Sequence, residues 1–222
     1  MNRRLRPLLL LLLAWMTSTA ALFDGCQLFK PRVPERPSQG GVLASYVEPD
    51  STLATLGRAI AAKAAGSALS AYLGGLASGT VDGQDFNAVL DPGVVAAWAS
   101  VTGRQPPDAW GVALEERAFG HLASLSGKNY VFDWLTDVQH PNDDELGPNS
   151  KIVHRQYMLR AIPDTPGSVD TLVIGYADLT FLHSPTDKWV ITVWSDRVDP
   201  VVGVNPINKN MESYSARRLE VY

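Results

Sequence analysis

The stretch TLVIGYADLTFLHSPTDKWVITVWSDRV, residues 171–198, decides the fold. Two runs rich in β-branched and aromatic residues, 171–182 and 188–198, flank the short polar turn HSPTD. Strands joined this tightly pair antiparallel, because parallel neighbours need a crossover of about a dozen residues or more. Alternation along 189–194 sends Trp189, Ile191 and Val193 to one face and Val190 and Trp194 to the other. Both faces are apolar, so both are covered, by helices and a loop or by a second subunit.

Working outward, YVFDWL (130–135) and IVHRQYMLRAI (152–162) read as further strands, and SYSARRLEVY (213–222) as a last one, giving an antiparallel meander. Upstream the period changes. Leu53, Leu56 and Ile60, then Leu69, Tyr72, Leu73 and Leu76, recur at helical spacing, which predicts one long bent helix from an Asp50 or Ser51 cap to about Leu76. SGTVDGQ (78–84) reads as a turn. Phe86, Val89 and Leu90 suggest a short helix stopped by Asp91-Pro92-Gly93, and 94–101 is helical or extended. Asp108 is positioned to cap a helix carrying Trp110, Leu114, Ala118, Leu122 and Leu125. The expected fold is α+β over residues 50–222, with helices packed on one face of a curved, mainly antiparallel sheet.

GYADLTF (175–181) followed by KWVITVWSD (188–196) resembles the C-terminal hairpin of the nuclear transport factor 2-like (SnoaL, ketosteroid-isomerase-like) cone. LSAYLGGL (69–76) leading to DFNAVLD (85–91) fits its helical half. The resemblance spans roughly residues 51–222. It implies a cone-shaped cavity and a homodimer formed through the sheet. It does not imply one activity, because that fold hosts isomerases, hydrolases, cyclases and non-catalytic proteins.

The chemistry-bearing residues are few. The four histidines show no i, i+4 metal spacing and no HExxH, so no metal site is expected, and no nucleophile elbow, P-loop or dinucleotide fingerprint implies a cofactor. A carboxylate desolvated in an apolar pocket can act as a general base. Asp178, on the same strand face as Tyr176, is the candidate base with a phenolic donor beside it. Asp133, between Phe132 and Trp134, is a second carboxylate of this kind. The plainer reading has these aspartates facing solvent or bound to an arginine such as Arg155 or Arg160. Trp194, Tyr157, Trp134 and Asp133 are candidates to line a ligand cavity, although packing in the core is the ordinary role of such aromatics. The acidic loop HPNDDELGPN (140–149) lacks the ligand pattern of a calcium-binding loop.

The whole chain carries a net charge of -4. Residues 1–25 hold Arg3, Arg4 and Arg6 against Asp24, so the remainder is more acidic still. That argues against nucleic acid, which requires a concentrated basic surface. Residues 1–25 have a basic start, the run LLLLLLAWM and small residues in TSTAA, the three parts of an export signal. The apolar stretch falls short of the ~20 residues of a spanning helix. Cleavage after the small residues at 19–21 is one possibility. The other is FDGC (23–26), which resembles the lipobox of bacterial lipoproteins, although Asp24 departs from its small uncharged residue. That resemblance implies acylation of Cys26, the single cysteine. Gln27 in place of an inner-membrane retention aspartate implies the outer membrane in a Gram-negative host. Residues 26–49, with Pro31, Pro34, Pro37, Gly40 and Gly41, read as a spacer. The function expected is a membrane-tethered envelope protein that binds a small apolar ligand or a partner protein. The alternative is an acid-base enzyme acting in the cone.

Overall fold

The computed structural model describes residues 41–63, 66–81, 83–125, 128–163, 170–198 and 213–222. Cys26, the export signal and most of the spacer lie outside the described residues. Residues 42–48, placed in the spacer on composition, are packed onto the domain: Val42 N–H donates to Ser67 Oγ, Ser45 N–H to Thr55 Oγ1, and Trp189 N–H to the Tyr46 carbonyl.

Helix α1 (Pro49–Ala61) begins with Pro49, whose missing N–H costs nothing in a first turn, while Ser51 Oγ accepts the Glu48 N–H at 3.0 Å. Its apolar side, Leu53, Leu56 and Ile60, is buried. The expected long helix is two: α1 stops at Ala61 and α2 (Ala68–Leu73) restarts after Gly66 and Ser67. Strands β1 (Ser78–Val81) and β2 (Gln84–Asp85) form a small hairpin where a turn was expected. Residues 87–89, read as helical, form β3 (Asn87–Val89), which pairs parallel with Val193, Trp194 and Ser195. Phe86, Val89 and Leu90 satisfy a helical template over too short a run to decide. The buried residues are Phe86 and Ala88, two apart, as in a strand.

Asp91-Pro92-Gly93 starts a helix instead of stopping one. Asp91 Oδ1 accepts the Gly93 and Val94 N–H groups, Pro92 takes the first helical position, and α3 (Pro92–Thr102) ends at Gly103 with φ 66°. Helix α4 (Val112–Ser124) is capped at Gly111, so Asp108 is not its cap.

The main sheet holds β4 (Lys128–Thr136), β5 (Asp144–Gly147), β6 (Ser150–Pro163), β7 (Asp170–Ser184) and β8 (Lys188–Val198). Among the described residues its order is β3-β8-β7-β6-β4, with β5 also on β6. Helix α5 (Tyr214–Leu219) replaces the expected last strand; its buried residues, Tyr214, Ser215, Arg218 and Leu219, follow the helical period. The α+β architecture stands, with one parallel pair in an otherwise antiparallel sheet.

Curvature is visible in two bonds from neighbouring residues of α1. Thr52 Oγ1 donates to the Trp189 carbonyl of β8, and the Leu53 carbonyl accepts Trp134 Nε1 of β4. Those strands are three places apart in the sheet, so only a strongly curled sheet brings both to adjacent positions on one helix. A bulge contributes to the bend. Phe181 pairs with Ile191 but Thr180 with Val193, leaving Thr192 as an extra residue. The bulge also corrects the face assignment. Beyond Thr192 the alternation inverts, so Trp194 joins Ile191 in the core, while Val190 packs with Ala77 and Leu182 on the opposite side.

Candidate functional site

Three places on this frame carry polar side chains in numbers: the cone interior, the outer face of the sheet, and a groove beside β4.

The interior is filled by the chain itself. Trp194 and Tyr157, expected to line a ligand cavity, are fully buried. Tyr214 stacks on Trp194 with ring centroids 5.5 Å apart, and the Arg218 guanidinium lies 4.4 Å above the Trp194 ring. Arg218 donates from Nε and Nη2 to both oxygens of Glu115, at 2.8 and 3.0 Å. Glu115 accepts two further bonds, from Tyr72 Oη and Trp110 Nε1. Alongside, Asp196 accepts from Tyr157 Oη and from Ser215 N and Oγ. Burial raises the Asp196 pKa, against the pull of Arg218 and of these donors. Each of these carboxylates is saturated with donors, while Trp194 Nε1, Arg218 Nη1 and Ser213 Oγ are buried without a hydrogen-bond partner among the described residues.

The outer face carries the candidate base, so the expectation of Asp178 within the cone is corrected. Asp178 pairs across the sheet with His154 of β6 and Ser195 of β8. The core-facing residues beside it are Ala177 and Leu179, and alternation turns Asp178 outward. Its Oδ1 is 2.7 Å from His154 Nδ1 and 2.8 Å from Arg197 Nη2. Burial pushes the Asp178 carboxyl up, but the bonds from His154 and Arg197 outweigh it and hold the pKa below the usual carboxylate range. That is the opposite of what a general base at neutral pH needs. Tyr176 is on the same face and nearly buried, with the Arg197 guanidinium 5.8 Å from its ring. The plainer reading of the aspartates holds: Asp178 binds an arginine, and Asp133 bonds Arg160, the partner named from sequence.

The groove runs between α1 and β4 and measures about 940 Å³. Its floor includes Leu53, Ala54 and Gly57 of α1 and Trp134 of β4; one wall is the β4–β5 loop with Asn142 and Asp143, continued by Glu145 of β5. Gly57 matters to it. A Cβ there would lie 3.0 Å from the Phe132 carbonyl, so the glycine lets α1 cover the free edge of β4 closely. An occupant therefore lies over side chains and has no room to add a strand at Phe132. The charges are Asp50, Asp133, Asp143 and Glu145 against Arg58 and Arg155. Arg155 is spent on Asp50 and Asp143, both at 2.8 Å, and its side chain is only 16% exposed, whereas Asp50 and Glu145 are 75% and 67% exposed. Asp133 bonds Arg160 and Glu145 lies 3.2 Å from Lys151, so each carboxylate lining the groove has a cationic partner, and Arg58 is exposed beside them. Asp133 and Trp134, two of the four ligand-binding candidates, border it from the two faces of β4.

Sequence reasoning missed His154, Arg197, Glu115, Asp196 and Arg218. Glu115 had a signal, since it shares the spacing of Ala118, Phe119 and Leu122 on the buried side of α4. Among the described residues no cluster of three or more His, Cys, Asp or Glu side chains fits a metal ion.

No family model and no curated relative matches the sequence. Solved structures similar to the chain include a protein of unknown function from Mycobacterium tuberculosis (TM-score 0.46, 13% identity, covering 77% of this chain and 87% of that one). A nuclear transport factor 2-like superfamily protein from Salmonella enterica serovar Typhimurium gives a TM-score of 0.43 at 11% identity, over 69% of this chain and 92% of the other. A further nuclear transport factor 2-like protein of unknown function, from Shewanella oneidensis, gives 0.33 at 15%, over 67% and 98%. These likenesses concern the path of the chain and carry no chemistry.

Proposed function

We propose that the chain is an exported bacterial envelope protein, tethered through acylated Cys26, whose domain is a non-catalytic binding module that takes a segment of a partner protein in the α1–β4 groove. The observation that carries the reading is the interior. The Arg218–Glu115 pair and the Trp194–Tyr214 stack lie within the buried interior, where they support packing over binding of a small apolar ligand or substrate. Function then moves to the surface, where the groove is open, polar and lined by groups of both charges. A polar segment of mixed charge suits it. Among the described residues no helix is long and apolar enough to cross a bilayer. Membrane association in this reading rests on the leader and Cys26, and by resemblance on the outer membrane in a Gram-negative host. Pairing of two copies through the outer sheet face belongs to the same reading. The alternative, acid-base catalysis by Asp178 with Tyr176, draws no support from a carboxylate held ionised by two cationic partners.

A photo-reactive residue at Ala54, in the groove, should cross-link a partner in host cells; the same residue at Val101, exposed on α3, should not. Equal capture at both positions, or none at Ala54, would reject the groove. Cys26→Ser should release the protein from membranes and remove an acyl mass. Unchanged fractionation with no acyl mass in the parent chain would reject the tether.

A further inference from the structure

The β4–β5 loop that walls the groove is fastened to the sheet by Arg155 and the His154 N–H, both on Asp143, by Arg197 near Asp137, and by the ring of His154. His154 presents both ring nitrogens to carboxylates: Nδ1 to Asp178 Oδ1 at 2.7 Å, and Nε2 to Asp144 Oδ2 at 3.3 Å. A neutral imidazole has one N–H and one lone pair, so it can serve only one of these; the imidazolium serves both. We infer that His154 is a proton-operated latch, whose charged form pins the Asp144 side chain to the outer face of the sheet and whose neutral form releases it.

The surroundings define the device. From β7 comes Asp178, and from β8 comes Arg197, bonded to Asp178 at 2.8 Å and 3.6 Å from Asp137. The loop contributes Asp137, His140 and Asp143, and β5 contributes Asp144. His140 sits with its Nδ1 3.3 Å from Asp137, and its ring centroid is 5.2 Å from that of His154. On β6 itself Arg155 neighbours the latch, bonding Asp143 at 2.8 Å. The Asp178 contact is the firm one, because Asp178 is anchored by Arg197 as well. Loss of the proton leaves Nδ1–H on Asp178 and turns the Nε2 lone pair towards the Asp144 carboxylate, which is repulsive. Asp144 is 65% exposed and free to swing away. Arg155 stays charged at any pH of interest and keeps Asp143 in place, so Asp143 is the pivot. Burial lowers the His154 pKa, but the bonds to Asp178 and Asp144 overcome this and raise it above the usual imidazole value. With a raised folded pKa, the fastening is complete below the ordinary value and is lost as pH rises through the raised one.

The latch stands on its own geometry; its use, to reshape the groove wall at Asn142 and Glu145, rests on the binding reading above. The test follows the His154 ring by NMR in the full-length chain between about pH 5 and about pH 9, alongside hydrogen exchange of 138–147 corrected for intrinsic base catalysis. His154 should titrate above the ordinary ~6.5. Protection of the loop should fall about two- to fivefold across that midpoint, as expected for losing one partly exposed charge pair. Asp144→Asn should lower the midpoint and remove the step in loop protection, leaving β6–β8 protected. A midpoint at or below the ordinary value, or loop protection that ignores it, overturns the latch. Failure of cross-linking at Ala54 would leave the latch standing, and failure of the latch would leave the groove standing.

Discussion

Gly175 faces the ring of Tyr157 across β7 and β6, and an added Cβ would overlap the phenol and lie 3.0 Å from the Arg197 carbonyl. Tyr157 cannot give way easily, because its hydroxyl is bonded to Asp196 and accepts the Tyr214 N–H at 2.8 Å. Gly175→Ala should therefore destabilise the domain by about 1–3 kcal/mol, the range for overpacking, read as a lower denaturant midpoint at unchanged slope. Paired with Tyr157→Phe it should cost little more than either change alone, since both damage the same contact. At this scale part of the site was legible in the sequence. An aspartate between Phe132 and Trp134 invites an arginine, and Arg160 supplies it. Asp178 was conspicuous for the same reason, a carboxylate inside an apolar strand. Its partner was hidden, because His154 meets it only through the register of β6 on β7, a relation between residues 24 apart.

Asp91 shows how one residue can organise several elements. One carboxylate oxygen caps α3; the other accepts the Val198 N–H at 2.9 Å, fastening the end of β8; and its own N–H donates to Ser215 Oγ. Asp91→Ala should cost about 1–2 kcal/mol through the lost cap, plus about 1 kcal/mol for the orphaned Val198 N–H, measured by thermal unfolding. Asp91→Asn, which keeps an acceptor oxygen for the cap, should lose well under half of that. Strands β4, β6, β7 and β8 were readable because each is a sustained β-branched and aromatic run bounded by polar turns, and β8 spans the expected residues; β5 (DELG) was not, because it lies in what reads as a polar acidic loop. Short segments were not. Phe86 to Leu90 and Tyr214 to Leu219 are each too brief for period to separate helix from strand, and tertiary contacts decided both. The Thr192 bulge is invisible to strict alternation, which is why Trp194 was assigned the wrong side.

For the molecule as a whole, the Arg218–Glu115 pair is the strongest single commitment. Both side chains are entirely buried. Arg218→Met strands the Glu115 charge beside only two neutral donors and should destabilise by about 3–5 kcal/mol; adding Glu115→Gln should recover a large part, since a matched loss removes the unpaired charge. Chemical denaturation of the single and double variants separates these outcomes, and a double variant worse than the single would contradict the pairing. The acid limb has its own sign. Asp178 is depressed in the folded state, so its contribution is present above about pH 4 and is lost as pH falls through the lowered value; Asp178→Asn should flatten that part of the profile. The layered α+β plan could be read from the order of periodicities along the chain. The filled cone could not, because the segment that fills it looks like another strand. That segment has a consequence in time. Residues 213–222 supply Tyr214, Arg218 and Leu219 to a core whose first helix starts at Pro49, and β3 waits more than a hundred positions for β8. Until the last of these residues leaves the ribosome, the nascent chain holds an acidic vacancy at its centre and cannot settle. The closing helix therefore sets the moment at which the core can form.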